Sequence, residues 1–81
     1  MKLAIHTIQE TLFSGDIKSF TLKTASGEIT VLDNHLPLIT IARPGKLRYT
    51  DRQNNENETE LNGGILEVKP NSEVIILANS S

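Results

Sequence analysis

The side chains able to do chemistry are few in this sequence, and their spacing gathers none of them. The two histidines, His6 and His35, lie far apart with no ligand spacing between them, and no cysteine supplies a thiolate ligand or nucleophile. No G-x-S-x-G elbow and no H-E-x-x-H pair occurs. A phosphate cradle needs a Gly-rich loop running into Lys-Ser/Thr, whereas Gly63-Gly64 runs into Ile65-Leu66-Glu67. Glu28 and Asp33 are near enough in sequence to be imagined as an acid/base pair, but isolated surface carboxylates far outnumber paired catalytic ones. The three aromatics, Phe13, Phe20 and Tyr49, sit singly among charges that lean acidic, which excludes a stacking platform for single-stranded nucleic acid. The expectation is a chain that is not an enzyme and takes no metal, no cofactor and no small-molecule substrate.

What must position these residues is small. The chain has 81 residues, room for one compact domain and no second. With no disulfide or metal to staple it, burial and backbone pairing must hold it. A lone core of this size leaves only about 3–5 kcal/mol of net stability, so a permanent partner would help. Eight Lys plus Arg against ten Asp plus Glu give a net charge of −2, spread in single residues, so no polyanion is expected as a partner. Leu3-Ala4-Ile5 is too short an apolar run for a signal peptide or a membrane span, and the expectation is a cytosolic chain. The triplets Asn57-Glu58-Thr59 and Asn79-Ser80-Ser81 then read as chance.

Helical periodicity is absent, because Gly, Pro or clustered Asn interrupt every candidate window. The pattern is short and two-fold. Leu3, Ile5 and Thr7 alternate against Lys2, Ala4 and His6, giving a first strand. A second occupies residues 16–24 after Ser14-Gly15. Its apolar positions Ile17, Phe20 and Leu22 take an odd step and then an even one, which predicts a β-bulge near Lys18-Ser19. Ala25-Ser26-Gly27 turns the chain into a third strand over residues 28–32. Residues 37–42 and 73–78 are apolar on both faces, as in strands covered on both sides. Arg43-Pro44-Gly45 fits a type II turn. Residues 46–50 alternate with Leu47 and Tyr49 inward, and residues 52–57 read as a polar loop. Thr59 and Leu61 form a short strand that Gly63-Gly64 break, by a bulge, before residues 65–69 resume. About eight to ten short strands with no substantial helix make an all-β fold, an antiparallel β-sandwich spanning 1–81 as a single domain.

Gly27-Glu28-Ile29-Thr30-Val31-Leu32-Asp33-Asn34-His35-Leu36-Pro37-Leu38, followed by Pro44-Gly45-Lys46-Leu47, resembles the ε subunit of rotary ATP synthases, the counterpart of the mitochondrial δ subunit. In that family G-E-hydrophobic leads to G-H-A-P-L and then to K-P-G-x-hydrophobic-R. Leu12-Phe13-Ser14-Gly15 is similar to its F-x-G segment, Gly63-Gly64-Ile65-Leu66-Glu67-Val68 to its G-G-[FI]-[LV]-E-V, and Val74-Ile75-Ile76-Leu77-Ala78 to its [VT]-[VI]-L-A. Asn34, Leu36 and Arg43 replace the family's Gly, Ala and Lys; Asn tolerates left-handed backbone better than other non-Gly residues.

The resemblance implies a non-catalytic rotor subunit of the central stalk that couples the γ subunit to the membrane ring of c subunits during proton-driven ATP synthesis. It implies a peripheral place on the cytoplasmic face of the bacterial inner membrane. The family's C-terminal helical pair has no counterpart in the sequence, so inhibition and nucleotide sensing attributed to it are not carried over. By position, Ser26, Gly27 and Glu28 fall on the loop facing the c-ring, and His35, Pro37 and Thr40 on the segment against γ. Taken without the resemblance, His35 reads as a turn-capping ring, Glu28 as a solvated charge, and Ile75 and Leu77 as covered by another strand or by a partner. The alternative function is a free-standing module for carbohydrate or peptide, which would be expected to carry an aromatic platform, paired carboxylates for calcium or a secretory leader.

Overall fold

The computed structural model describes residues 1–33 and 36–79, and all regular structure in them is β. The strands are β1 (Lys2–His6), β2 (Thr11–Thr24), β3 (Gly27–Leu32), β4 (Leu38–Asp51), β5 (Glu56–Val68) and β6 (Glu73–Ala78). They hydrogen-bond in the order β1-β6-β5-β4-β2-β3, and a further β1–β2 ladder closes the sheet on itself. The closed sheet surrounds one core built from Leu3, Ile5, Ile17, Phe20, Leu22, Val31, Leu47, Leu66, Val74 and Ile76, all almost completely buried.

The all-β expectation holds, while the count is six strands in place of eight to ten. The surplus came from reading each corner as a break. β2 starts at Thr11, ahead of the expected Asp16, because residues 11–16 already pair with β1. β4 runs through Pro44-Gly45 and β5 through Gly63-Gly64, with Pro44 opposite Asn62 and Ala42 opposite Gly64. The expected type II turn, strand break and bulge are therefore all replaced by one shared bend. On β4 the inward residues change from Ala42 to Leu47 and on β5 from Leu61 to Leu66, an odd step in each, yet the pairing register does not slip. Both strands turn the corner together, carrying the sheet from one layer of the sandwich to the other. Pro44 is tolerated there because β4 leaves β2 at the corner: Thr21 pairs with Arg48 but Thr24 with Ala42, so the proline's missing N–H deprives no β2 acceptor.

One pairing departs from the antiparallel expectation. β1 lies parallel to β6, Leu3 beside Val74 and Ile5 beside Ile76, which lets the two ends of the chain close the sheet. The bulge in β2 falls where the spacing placed it. Ile17 pairs with Asp51 and Ser19 with Thr50, leaving Lys18 extra, so that Ile17 and Phe20 both face the core.

Gly64 is the tightest point of the corner. Its φ is +150°, and a Cβ built there would lie 2.0 Å from the Leu77 carbonyl oxygen, a backbone atom that moves only if β6 moves. Gly27 also has positive φ, +109°, but no atom lies within 4 Å of the site of its Cβ. Gly64→Ala is expected to lower stability by roughly 2–4 kcal/mol, against about 1–2 kcal/mol of backbone strain alone for Gly27→Ala. Urea unfolding of the two variants beside the parent measures the difference, and equal losses would show that the corner is not tight.

Candidate docking surfaces

The sheet has one interior, so a strand apolar on both faces must present one of them outward. Ile39 and Ile41 on β4 are 70% and 61% exposed, and Leu77 on β6 is 54% exposed. This corrects the expectation that residues 37–42 are covered on both sides. For Leu77, where the sequence leaves open cover by another strand or by a partner, no strand of this chain supplies the cover among the described residues. Register lines Ile41, Ile65 and Leu77 up side by side across β4, β5 and β6, with Ile75 in the neighbouring row. Ile8 extends the patch from the β1–β2 turn and shares a shallow depression with Ile65, Leu77 and Ala78. The turn holding Ile8 is fixed by Thr7, whose N–H donates to Glu10 O at 2.8 Å and whose Oγ1 accepts from Gln9 N and Glu10 N at 3.2 and 3.1 Å. The result is an exposed apolar row, with Glu67 standing between Ile39 and Ile75 in the row beside it, the kind of patch that marks an interaction site.

The second surface is polar and lies on the other layer. At the β2–β3 turn the buried Thr24 hydroxyl donates to Gly27 O at 2.8 Å and accepts from Ser26 N at 3.1 Å, which fixes the backbone and leaves Ser26, Gly27 and Glu28 exposed. Glu28 Oε1 accepts from Arg48 Nη2 at 3.3 Å. Lys23, Lys46 and Glu58 complete this charged region.

The structure therefore brings together the three residues expected to face the c-ring. Those expected against γ fare differently. His35 lies outside the described residues, Pro37 is exposed ahead of β4, and Thr40 is half-buried on the core side, opposite the face that Ile39 and Ile41 present. Alternation within residues 38–42 was the signal that could have singled out Ile39 and Ile41. Glu28 and Asp33 do not form a pair: they stand at opposite ends of β3, one held by Arg48, the other by Arg52 and the N-terminal ammonium. Phe13 and Tyr49 meet with ring centroids 4.7 Å apart while packing on the core, so neither serves as an exposed platform. Among the described residues no group of three or more His, Asp or Glu side chains is placed to hold a metal ion.

A third cluster ties distant segments together. The N-terminal ammonium lies 2.7 Å from Asp33 Oδ1 and 3.2 Å from Asp16 Oδ1 and donates to Ile17 O at 3.0 Å, while Arg52 reaches both carboxylates at 3.1 and 3.5 Å. Arg52 and then the ammonium hold the Asp16 carboxyl below its ordinary value of 3.8. The ammonium is the main cause for Asp33, which is also lowered.

These features define a small closed β-sandwich with two chemically distinct exposed faces, one apolar and one charged. The family described as "ATP synthase, Delta/Epsilon chain, beta-sandwich domain" matches residues 1–81. This chain belongs to that family. It is 32% identical over all 81 residues to the ATP synthase epsilon chain of Acinetobacter baylyi and spans 58% of that relative's length. Among solved structures it shares its fold with a chain of the Euglena gracilis mitochondrial ATP synthase, described as OSCP/F1/c-ring, at TM-score 0.85 and 22% identity, covering 96% of this chain and 48% of that one. A chain of the Tetrahymena thermophila mitochondrial ATP synthase, described as central stalk/c-ring, matches at TM-score 0.81 and 15% identity, covering 99% and 63%.

Carboxyls depressed in the folded state contribute stability that is complete above their ordinary values and is lost as pH falls through the folded ones. The urea midpoint of the parent is expected to fall between about pH 5 and pH 2.5, and that of the Asp16→Asn/Asp33→Asn variant to fall less over the same range. Parallel declines would remove this cluster as a cause of the acid sensitivity.

Proposed function

We propose that this chain is a rotor-stalk subunit of an F-type ATP synthase, a single sandwich domain that performs no catalysis itself and joins the γ shaft to the ring of c subunits. The observation that carries the reading is the uncovered apolar row of Ile41, Ile65 and Leu77, which gives a domain of marginal size a face suited to a permanent partner. Family membership and the names of the relatives support it. The Acinetobacter baylyi protein is called an epsilon chain, and the Euglena and Tetrahymena assemblies are described as containing the c-ring. On this reading the apolar face holds γ, with the exposed Pro37 just ahead of the part β4 contributes, and Ser26-Gly27-Glu28 meets the c-ring. The complex places the chain peripherally on the cytoplasmic face of the bacterial inner membrane.

Ile41→Lys/Leu77→Lys tests the γ contact. Both side chains are more than half exposed, so the fold is expected to keep its unfolding midpoint. Placing two charges in an apolar contact is expected to weaken binding to purified γ by about tenfold or more. Titration of γ with parent and variant decides the matter, and unchanged affinity would move the γ contact to another face.

A further inference from the structure

We infer that Arg48 is a positioning residue for the polar docking loop: its guanidinium draws the Glu28 carboxylate across the outer face of β2, back from the β2–β3 turn, and fixes the orientation in which it meets the c-ring. The inference rests on the proposed contact of Ser26-Gly27-Glu28 with that ring. It explains a feature that function has so far left unused, the arginine that closes the segment Pro44-Gly45-Lys46-Leu47-Arg48.

The two residues are not register partners. Glu28 stands opposite Lys23 on β2, and Arg48 stands between Thr21 on β2 and Glu58 on β5. Each therefore has an oppositely charged residue directly across from it. The ion pair that forms is nonetheless diagonal, Arg48 Nη2 to Glu28 Oε1 at 3.3 Å, reaching over β2. A long, planar guanidinium makes that reach and still fixes direction, which a lysine ammonium does less well. The pair engages Oε1, and both side chains remain 54% exposed, so the carboxylate is oriented without being covered.

The same loop is fixed a second time, at the backbone, by the Thr24 hydroxyl bonds to Gly27 O and Ser26 N. Thr24 sets where the loop lies and Arg48 sets where its one charge points. Preorganisation of this kind removes an ordering cost at docking. A half-exposed ion pair contributes little to folding, so its place in the structure is better explained by the direction it gives the carboxylate.

The experiment measures binding of the chain, already complexed with γ, to purified detergent-solubilised c-ring, for the parent, Glu28→Ala, Arg48→Ala, the double variant and Arg48→Lys. Glu28→Ala and Arg48→Ala are each expected to weaken ring binding by about two- to fivefold, with the double variant no weaker than either single one. Arg48→Lys recovers part of the loss, and affinity for γ is unchanged throughout. A loss with Glu28→Ala but none with Arg48→Ala overturns the positioning role and leaves the proposed ring contact standing. Losses that multiply in the double variant also overturn it, since Arg48 would then touch the ring by itself. No loss with either single variant removes the Glu28 contact and the inference together.

Discussion

Among the glycines, Gly64 leaves the least room for a side chain, against the Leu77 carbonyl, and the arrangement of the corner follows from it. With no Cβ at Gly64, β5 and β6 come together at the corner and β4 turns with β5 without losing register. The apolar side of each strand changes phase at that point, so the segments on either side of it line the same core from two layers. A chain of 81 residues has too little apolar surface for two independent sheets that each need their own edge protection. Bending three long strands through one core is the economical solution. The parallel β1–β6 ladder and the β1–β2 hairpin finish the closure.

Closure also decides which surfaces are left over. Inward positions are filled by Leu38, Ala42, Leu66, Val68, Val74 and Ile76, so the alternate positions Ile39, Ile41, Ile65 and Leu77 must face outward. A sheet meant to stand alone would carry polar residues there, as residues 56–60 do with Glu56, Glu58 and Glu60 on their exposed side. The two halves of one strand differ in this respect. The first half of β5 turns charged residues outward, while in the second half Ile65 joins the exposed apolar row and Glu67 stands beside it.

Much of this was legible beforehand. Two-fold alternation, turn residues at Ala25-Ser26-Gly27 and the odd step from Ile17 to Phe20 located β1, β3 and the bulge at Lys18, because each rests on local steric rules. Pro44-Gly45 and Gly63-Gly64 misled for the same reason. Read locally, proline and paired glycines interrupt strands; their actual role depends on β4 leaving β2 and on the nearness of Leu77, contacts between residues far apart in the chain. The two-faced apolar runs were visible, but whether a strand or a partner covers them is a property of topology. Arg48 had no local signature linking it to Glu28, since the link is diagonal across β2 and 20 residues long in sequence. Ser26, Gly27 and Glu28 come as a unit from the family resemblance, not from any local rule, and in the structure one turn holds them.

Magnitudes assign the two faces different duties under the proposed function. Fully burying an aliphatic side chain is worth roughly 1.5–3 kcal/mol, and the half-exposed members of the Ile41, Ile65 and Leu77 row retain a good part of that to gain. An exposed ion pair such as Arg48–Glu28 is worth about 0–1 kcal/mol and weakens with salt. Affinity must therefore come from the apolar face, and the charged loop adds direction. That division suits a coupling that has to stay attached to one partner while keeping a fixed orientation toward another. A strong polar bond to the ring would require burying charge, at a desolvation cost this small fold could not carry. A weak but preoriented one costs little, because Thr24 and Arg48 have already ordered the loop before the ring arrives.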